Sequence, residues 1–174
     1  MKYLVKFFVV TFLLLIYTNA SAEQKVAYLD MTFILNNSKA GKGAQDFLQK
    51  SFKENQKIFF DAENSLKKEE NDLLAQKTIL TKEEYQKKTD NLRKKVIDYQ
   101  SQRRTSLEKI TTQRAEARQK LLEKLDPILK TYIKENDISL IIDKKNVLMG
   151  NTNLDITNII VEKLNKEFPS LSIK

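Results

Sequence analysis

The spacing of apolar side chains changes along the chain, and each change predicts an element. Residues 25–31, KVAYLDM, form a short β-branched and aromatic run that predicts a strand. A helical pattern runs from residue 44 to about residue 77. One large apolar residue recurs there every seven positions: Phe52, Phe59, Leu66, Leu73 and Leu80. A stable coiled coil has two such residues per heptad, so this apolar stripe is thin.

A second helix is predicted after a short turn near residues 78–80. Thr81 followed by Glu84 is a capping box, which marks a helix start. A connection of two to five residues makes two helices antiparallel neighbours, so we expect a helical hairpin. At 1.5 Å per residue, residues 41–77 would reach roughly 55 Å.

Apolar residues become frequent after residue 118, where the chain can build a core. Asp126 and Pro127 fit an N-cap and a first-turn proline, which predicts that the helix kinks or restarts there. Residues 138–143 and 146–150 are two short apolar runs that predict a hairpin of strands pairing with residues 25–31.

The last predicted element is a helix with Asp155 as its N-cap. Its apolar residues would share one face: Ile156, Ile159, Ile160 and Leu164. Both ends of the mature chain would then meet in one body. The predicted fold is α+β, mostly α, with a long antiparallel helical hairpin projecting from a small β-containing body.

Glycine and proline are scarce, which supports long helices. The chain has three Gly and two Pro, and the 83 residues between Gly43 and Pro127 contain neither. Average usage would give roughly 20 of them in a chain of this length. Gly41 and Gly43 lack the spacing of a phosphate-binding loop. They therefore predict a hinge between a short helical turn and the long helix.

The first 22 residues predict a cleaved secretory signal. Lys2 and Lys6 precede an apolar core of 11 residues, and residues 20–22, ASA, form the cleavage pattern. The alternative is a membrane anchor, but a spanning helix needs about 20 apolar residues. We expect cleavage before Glu23. The predicted domains are the signal at 1–22, the body at 23–40 and 121–174, and the arm at 41–120.

The composition argues against catalysis. The chain has no Cys and no His, so thiolate chemistry, the commonest general base and the commonest transition-metal ligand are all missing. A secreted enzyme would need convergent polar groups, and the sequence shows no such constellation. We expect no catalytic residues, no metal and no cofactor.

The positive charge lies on one helix of the hairpin. Residues 41–77 carry seven basic and seven acidic side chains, whereas residues 82–120 carry twelve basic and six acidic ones. Ion pairs along a helix explain many charges but not a one-sided excess. Such an excess attracts anionic partners. Nucleic acid is not expected, because an exported protein meets little of it, and this leaves anionic lipids and acidic polypeptides.

In the order of four sequence segments along the chain, this protein resembles the Skp/OmpH family of periplasmic chaperones. The resemblance rests on KVAYLDM, AGKGAQDFLQKSF, NDISLIIDKKNVLMGNTNLDIT and VEKLNK. It implies a homotrimer whose strands form a β body, with three tentacle-like arms around a cavity. It also implies an ATP-independent periplasmic holdase, which keeps unfolded outer-membrane β-barrel proteins soluble before insertion. Some family members bind lipopolysaccharide, so anionic lipid and lipopolysaccharide stay open as partners.

Candidate client-binding residues combine charge with dispersed apolar side chains. For charge we select Lys87, Lys88, Arg93, Lys94, Lys95, Arg103 and Arg104. For apolar contact we select Phe59, Phe60, Leu66, Tyr85, Leu92 and Tyr99, each of which could instead pack the hairpin. For the oligomerisation body we select Val26, Tyr28, Leu140, Ile142, Val147 and Met149. The alternative function is an exported coiled-coil spacer or adaptor that scaffolds an envelope assembly.

Overall fold

A computed structural model describes residues 24–173 of the chain. Strand β1 (Lys25–Leu29) is followed by a short helix α1 (Met31–Asn37) and a long helix α2 (Lys39–Ala75). The Asp30 carboxylate caps α1 by accepting a hydrogen bond from the Phe33 N–H at 2.7 Å. The predicted signal peptide and its cleavage before Glu23 lie outside the described residues.

The chain returns along α2 and ends in the body. Helix α3 (Lys82–Glu135) is followed by strand β2 (Ile138–Asp143) and helix α4 (Thr157–Glu167). Contacts such as Lys95 Nζ to Glu69 and Tyr99 Oη to Glu63 show that α2 and α3 are antiparallel. The predicted α+β fold with a long helical hairpin is confirmed.

Strands β1 and β2 form a two-stranded parallel sheet. Val26 pairs with Leu140, and Leu29 pairs with Asp143. Parallel strands need a long crossover connection. Here the crossover is the helical hairpin itself, so the arm grows out of the link between the two strands.

The core lies where the sheet meets α1, the end of α3 and α4. Its buried side chains are Ala27, Leu29, Ile34, Leu125, Ile128, Ile156, Ile160 and Leu164. A second small cluster of Leu35, Ala40 and Leu121 joins the base of the hairpin to this core. Burial is therefore concentrated at one end of the molecule.

The predicted hinge at Gly41 and Gly43 is wrong. The chain breaks at Ser38, which caps α2 by accepting a hydrogen bond from the Gly41 N–H at 3.1 Å, and α2 runs through both glycines. A Cβ at Gly41 would lie 1.9 Å from the Leu35 carbonyl oxygen, whereas one at Gly43 would meet nothing within 4 Å. Gly41 therefore permits a close approach of α1 and α2 and does not supply flexibility.

The predicted capping box at the start of α3 is confirmed. The Glu84 N–H donates to Thr81 Oγ1 at 3.3 Å, and the Thr81 N–H donates to the Glu84 carboxylate at 3.1 Å. The Thr81 N–H and the Thr81 hydroxyl, which also donates to the Glu84 carboxylate at 2.8 Å, hold the pKa of Glu84 below its ordinary value. The six residues between α2 and α3 form the tip of the hairpin.

The helix does not restart at Asp126 and Pro127. Helix α3 continues through Pro127, and the Asp126 carboxylate pairs with Lys130 Nζ at 2.6 Å and caps no helix. A proline in a helix interior costs about 3 kcal/mol. Leu125 and Ile128, on either side of it, are both buried in the core, and this packing offsets the cost.

Residues 146–150 do not form the predicted second strand of a hairpin. Lys144–Asn146 form a 3-10 turn, and Leu148 and Met149 are almost fully exposed. The free edge of β1 is taken instead by Asp155, which bridges to Tyr28. The segment therefore loops over the Tyr28 ring, where a Cβ at Gly150 would lie 3.0 Å from Tyr28 Cε1.

Asp155 fastens this loop and is not the N-cap of α4. Ile156 occupies the cap position, and the Asp155 carboxylate accepts the Thr157 N–H at 3.0 Å and pairs with Lys144 Nζ at 2.7 Å. Ile160 and Leu164 are buried, but Ile159 is 43% exposed, so the apolar face of α4 is narrower than predicted. Burial opposes ionisation of Asp155, but the Lys144 and Thr157 contacts outweigh it and lower its pKa.

The two glycines of α2 provide a matched test of the close approach. We expect Gly41→Ala to lower the free energy of unfolding by about 1–3 kcal/mol, because the added methyl collides with the Leu35 carbonyl. We expect Gly43→Ala to raise it by about 0.5–1 kcal/mol, because alanine favours the helix. Urea unfolding at one protein concentration measures both, and midpoints that move in the same direction would contradict the close approach.

The Asp155 contacts predict a pH dependence of stability. A carboxylate whose pKa is lowered by folding stabilises the fold above its unfolded pKa, and this contribution is lost as the pH falls through the folded pKa. We expect Asp155→Asn to cost about 1 kcal/mol at pH 7. The difference from the wild type should shrink below about pH 4. Asp126→Asn, which removes only an exposed ion pair within α3, is the control and should have a smaller effect at pH 7.

Candidate functional site

The middle of the hairpin has no buried side chain. Within the described structure, every residue of 49–72 on α2 and of 82–109 on α3 keeps at least part of its surface exposed. Burial resumes at Leu48 and Ile110 toward the body, and at Leu73 toward the tip. The thin apolar stripe of the sequence therefore becomes a pair of helices that touch without closing a core.

The predicted apolar residues divide into two groups. Phe59 and Tyr99 pack edge to face across the hairpin, with ring centroids 6.0 Å apart. Leu66 and Leu92 are half-buried and line an open groove between the helices with a volume of about 940 Å³. We call the line of contact between α2 and α3 the seam, and it includes Leu66, Leu92, Phe59 and Tyr99. Tyr85 is also half-buried, whereas Phe60 is 64% exposed.

Several exposed apolar side chains were missed by the sequence analysis. They are Phe52, Ile58, Leu74, Ile79, Ile97 and Leu107, with exposed fractions from 39% to 81%. Phe52 was counted in the heptad stripe but was not selected as a contact residue. The others lie outside the seven-residue series, and only a full helical projection of both helices would have placed them on the surface.

Four of the predicted basic residues already have polar partners within the hairpin. Lys95 Nζ reaches the Glu69 carboxylate across the helices at 2.6 Å, and Lys88 Nζ donates to Gln76 Oε1 at 2.7 Å. Arg93 and Arg104 make longer contacts with acids of their own helix, at 3.5 and 3.8 Å. These exposed ion pairs contribute little to stability.

The remaining predicted basic residues are free for a partner. Lys87, Lys94 and Arg103 are exposed, and none of them has a carboxylate within 4.0 Å among residues 24–173. On α2, the hydrogen bond and charge of Lys67, one turn further along the helix and 2.8 Å away, lower the pKa of Glu63. This acid therefore stays charged and neutralises only part of the local positive field.

Four of the predicted body residues lie in the two strands, and the other two, Val147 and Met149, lie in the loop after β2. Val26 and Leu140 are partners in the register and are 37% and 53% exposed, and Met149 is 92% exposed. Tyr28, by contrast, is buried beneath the loop, with its hydroxyl donating to the Asn151 carbonyl at 3.2 Å. Ile142 and Val147 are half-buried. One side of the body thus leaves apolar surface uncovered.

Neither a metal site nor a membrane span is found in the described chain. Residues 24–173 contain no cluster of three or more acidic side chains suited to a metal ion. No helix in the same range combines the length and the apolar character needed to cross a membrane.

The arm, the sheet and the loop of this chain match known proteins. A family model described as "Outer membrane protein (OmpH-like)" matches residues 25–164, well over half of the chain. The chain belongs to the OmpH-like family. A solved structure of a candidate OmpH-like outer membrane chaperone from Caulobacter crescentus CB15 has a TM-score of 0.81 at 18% identity, covering 90% of this chain and 93% of that one. No curated protein matches the chain.

The OmpH-like assignment confirms two predictions. The family resemblance drawn from the sequence is correct, and the family consists of chaperones and not of enzymes. At 18% identity the solved structure shows a shared fold. The residues that contact a client must therefore be argued from this chain's own surface.

Two adjacent phenylalanines on α2 test which apolar side chains stabilise the hairpin of this OmpH-like protein and which are available at its surface. We expect Phe59→Ala to lower the free energy of unfolding by about 1–2 kcal/mol, because it removes the half-buried edge-to-face contact with Tyr99. We expect Phe60→Ala to change it by less than about 0.5 kcal/mol, because that ring is mostly in solvent. Urea unfolding followed by circular dichroism gives both values, and equal losses would refute the division into seam and surface residues.

Proposed function

We propose that this chain is a periplasmic, ATP-independent holdase that binds unfolded outer-membrane β-barrel proteins and prevents their aggregation before insertion. The observation that carries the proposal is the open middle of the arm. A hairpin that buries no side chain over residues 49–72 and 82–109 leaves apolar groups available to a client. Membership of a chaperone family supports the same function.

Weak contacts suit this function. Each exposed charged contact is worth well under about 1 kcal/mol, and each exposed apolar side chain adds a small, replaceable contact. Many such contacts together bind through avidity. A client held in this way is kept from aggregating, yet it can leave when a folding partner competes for it.

We also propose that three copies assemble through the body. In that arrangement the strands of residues 23–40 and 121–174 form a shared β body, and the arms of residues 41–120 surround a cavity. The exposed Val26, Leu140 and Met149 support an assembly on this side of the body, because an apolar surface of this kind is stabilised by burial. Anionic lipid or lipopolysaccharide is a further proposed partner of the basic arm.

A light-scattering experiment tests the holdase function. Urea-unfolded outer-membrane β-barrel protein is diluted into nucleotide-free buffer with and without the chain from residue 23 onward. We expect aggregation to be suppressed at about three protomers per client, as for one client in a closed three-fold cavity. Aggregation as fast as in buffer alone, with the fold intact by circular dichroism, would favour the envelope spacer instead.

Charge reversal tests whether the basic helix attracts the client. Lys87→Glu with Lys94→Glu reverses two exposed lysines of the arm, and Lys134→Glu with Lys166→Glu makes the same net change in the body. At 1.5 Å per residue along α3, Lys134 is roughly 60 to 70 Å from Lys94 and Lys87, far beyond the Debye length of about 10 Å in 0.1 M salt. The arm variant should therefore slow client association by about tenfold at low salt, and the body variant should not.

High salt provides the internal control for this measurement. The rate difference between the arm variant and the wild type should disappear near 1 M salt, where the Debye length is about 3 Å. An arm variant that associates at the wild-type rate in low salt would rule out steering by α3.

A further inference from the structure

The arginines of this chain lie on one face of one helix. The chain contains five arginines among its 31 basic residues: Arg93, Arg103, Arg104, Arg114 and Arg118. At 3.6 residues per turn, they fall within an arc of about 100° on α3. All five line grooves on the same side of the hairpin. Lysines, by contrast, are spread over the whole chain.

These grooves join into one channel that runs along the arm. A groove of about 600 Å³ at the base shares Phe52 with a groove of about 510 Å³, and that groove shares Tyr99, Arg103 and Leu107 with the mid-arm groove of about 940 Å³. We name the joined channel, from Leu121 to Leu92 along α3, the arginine groove. Its length is roughly 44 Å at 1.5 Å per residue.

Apolar side chains run beside the arginines inside this groove. Phe52, Phe60, Ile97 and Leu107 line it and are 39% to 64% exposed. The groove therefore offers a row of guanidinium groups next to a row of apolar contacts. An extended polypeptide whose acidic and apolar residues alternate presents the matching pattern, because successive side chains point to opposite faces.

The other face of the hairpin differs in chemistry. The larger of its two grooves, about 550 Å³, is lined largely by hydroxyl and amide side chains such as Ser101, Gln102 and Thr105. The smaller, about 290 Å³, borders the contact between the two helices at Phe59 and Tyr99. The charges there balance, with Lys95 and Lys109 opposed by Glu54 and Asp98. The arginine groove instead has seven basic and two acidic lining residues. The two faces are therefore not equivalent for an anionic partner.

We propose that the arginine groove binds an extended, acidic and apolar segment of unfolded polypeptide, about 13 residues long at roughly 3.3 Å per residue. This inference rests on the proposed holdase function and assigns the client to one face of the arm. Arginine suits the role because its planar guanidinium pairs bidentately with carboxylates and is less strongly hydrated than the lysine ammonium.

The distribution of charge favours an acidic polypeptide in the arginine groove over a lipid headgroup or a second arm of this chain. A lipid headgroup concentrates its charge at one point, whereas the arginines recur along the whole groove at intervals of up to 10 residues. A second arm of this chain would bring a neutral or a basic helix to a basic groove, because residues 41–77 have balanced charges and residues 82–120 carry an excess of six positive ones. An acidic polypeptide meets neither obstacle.

Two neighbouring glutamines allow the faces to be compared directly. Gln100 lines the arginine groove and Gln102 lines the opposite grooves. The chain has no cysteine, so Gln100→Cys and Gln102→Cys each introduce a single site for a thiol-reactive benzophenone. After irradiation with a urea-diluted outer-membrane β-barrel protein, we expect the position-100 probe to crosslink the client at least about tenfold more than the position-102 probe, since the two positions lie about 200° apart on the helix.

A synthetic peptide measures the chemistry of the groove. A fluorescent 13-residue peptide that alternates Asp with Val and Phe should bind the wild-type chain, and the same peptide with Lys in place of Asp should not. The variant Arg103→Lys, Arg104→Lys and Arg114→Lys keeps the net charge, and we expect it to weaken binding by about tenfold because bidentate pairing is lost. Unchanged affinity would overturn the role of arginine.

The outcomes separate this inference from the function on which it rests. If the unmodified chain does not suppress client aggregation, the holdase proposal fails. If it suppresses aggregation but both probes crosslink the client equally, the assignment to the arginine groove fails and the holdase proposal stands. The same position-100 probe can be irradiated with anionic phospholipid vesicles and the acidic peptide together. Crosslinking mainly to the lipid, or mainly to a second protomer, would also overturn the assignment.

Discussion

Two parallel strands cannot be joined by a tight turn, because the end of the first lies a full strand length from the start of the second. This constraint organises the whole molecule. β1 and β2 pair in parallel, and the chain between them forms α1, α2 and α3. The crossover that an ordinary domain would fold against its sheet is here extended into solvent, so the arm and the sheet are parts of one connection.

The body must therefore fix the two helix ends from which the long hairpin projects, the start of α2 and the end of α3. Leu125 and Ile128 of α3 pack with Leu29 of β1 and with Ile160 and Leu164 of α4, which fixes the returning helix beside the sheet. The same packing carries α3 through Pro127 without a restart. From Ile110 toward the tip this support ends, and apart from the buried Leu73 the hairpin depends on half-buried contacts and a few exposed ion pairs. Stability thus falls from the body toward the arm, as in proteins whose binding segments open locally.

Local signals in the sequence identified most of the fold. The capping box of Thr81 and Glu84, the long interval without Gly or Pro and the apolar runs of both strands each predict an element that the structure contains. These signals succeed because their causes are local: a cap, a propensity, a side-chain period. The hairpin and the mostly helical class follow from them.

The errors share a different cause. Gly41 marks a close approach of Leu35 and not a hinge, and residues 146–150 loop over Tyr28 because Asp155 takes the strand edge. In both cases the deciding contact joins residues that no local pattern connects. The division of the apolar candidates between the hairpin contact and the surface depends on a contact of the same kind. Phe59 and Phe60 are adjacent residues of the same type, and only the position of α3 decides that Phe59 packs against Tyr99 while Phe60 faces solvent.

A holdase surface has to attract clients at long range without holding them permanently at short range. Lysine and arginine are equal in the first respect, since each adds one positive charge to the field of the arm. They differ in the second, because a guanidinium pairs with a carboxylate through two parallel hydrogen bonds and sheds water more readily. Lysines on both helices can therefore keep the arm soluble and attractive, while a few arginines set where an acidic segment rests. Because those arginines lie beside half-exposed apolar residues and the charges of the other face balance, the client binds preferentially along one face of the arm. The contacts there are weak enough for the client to dissociate.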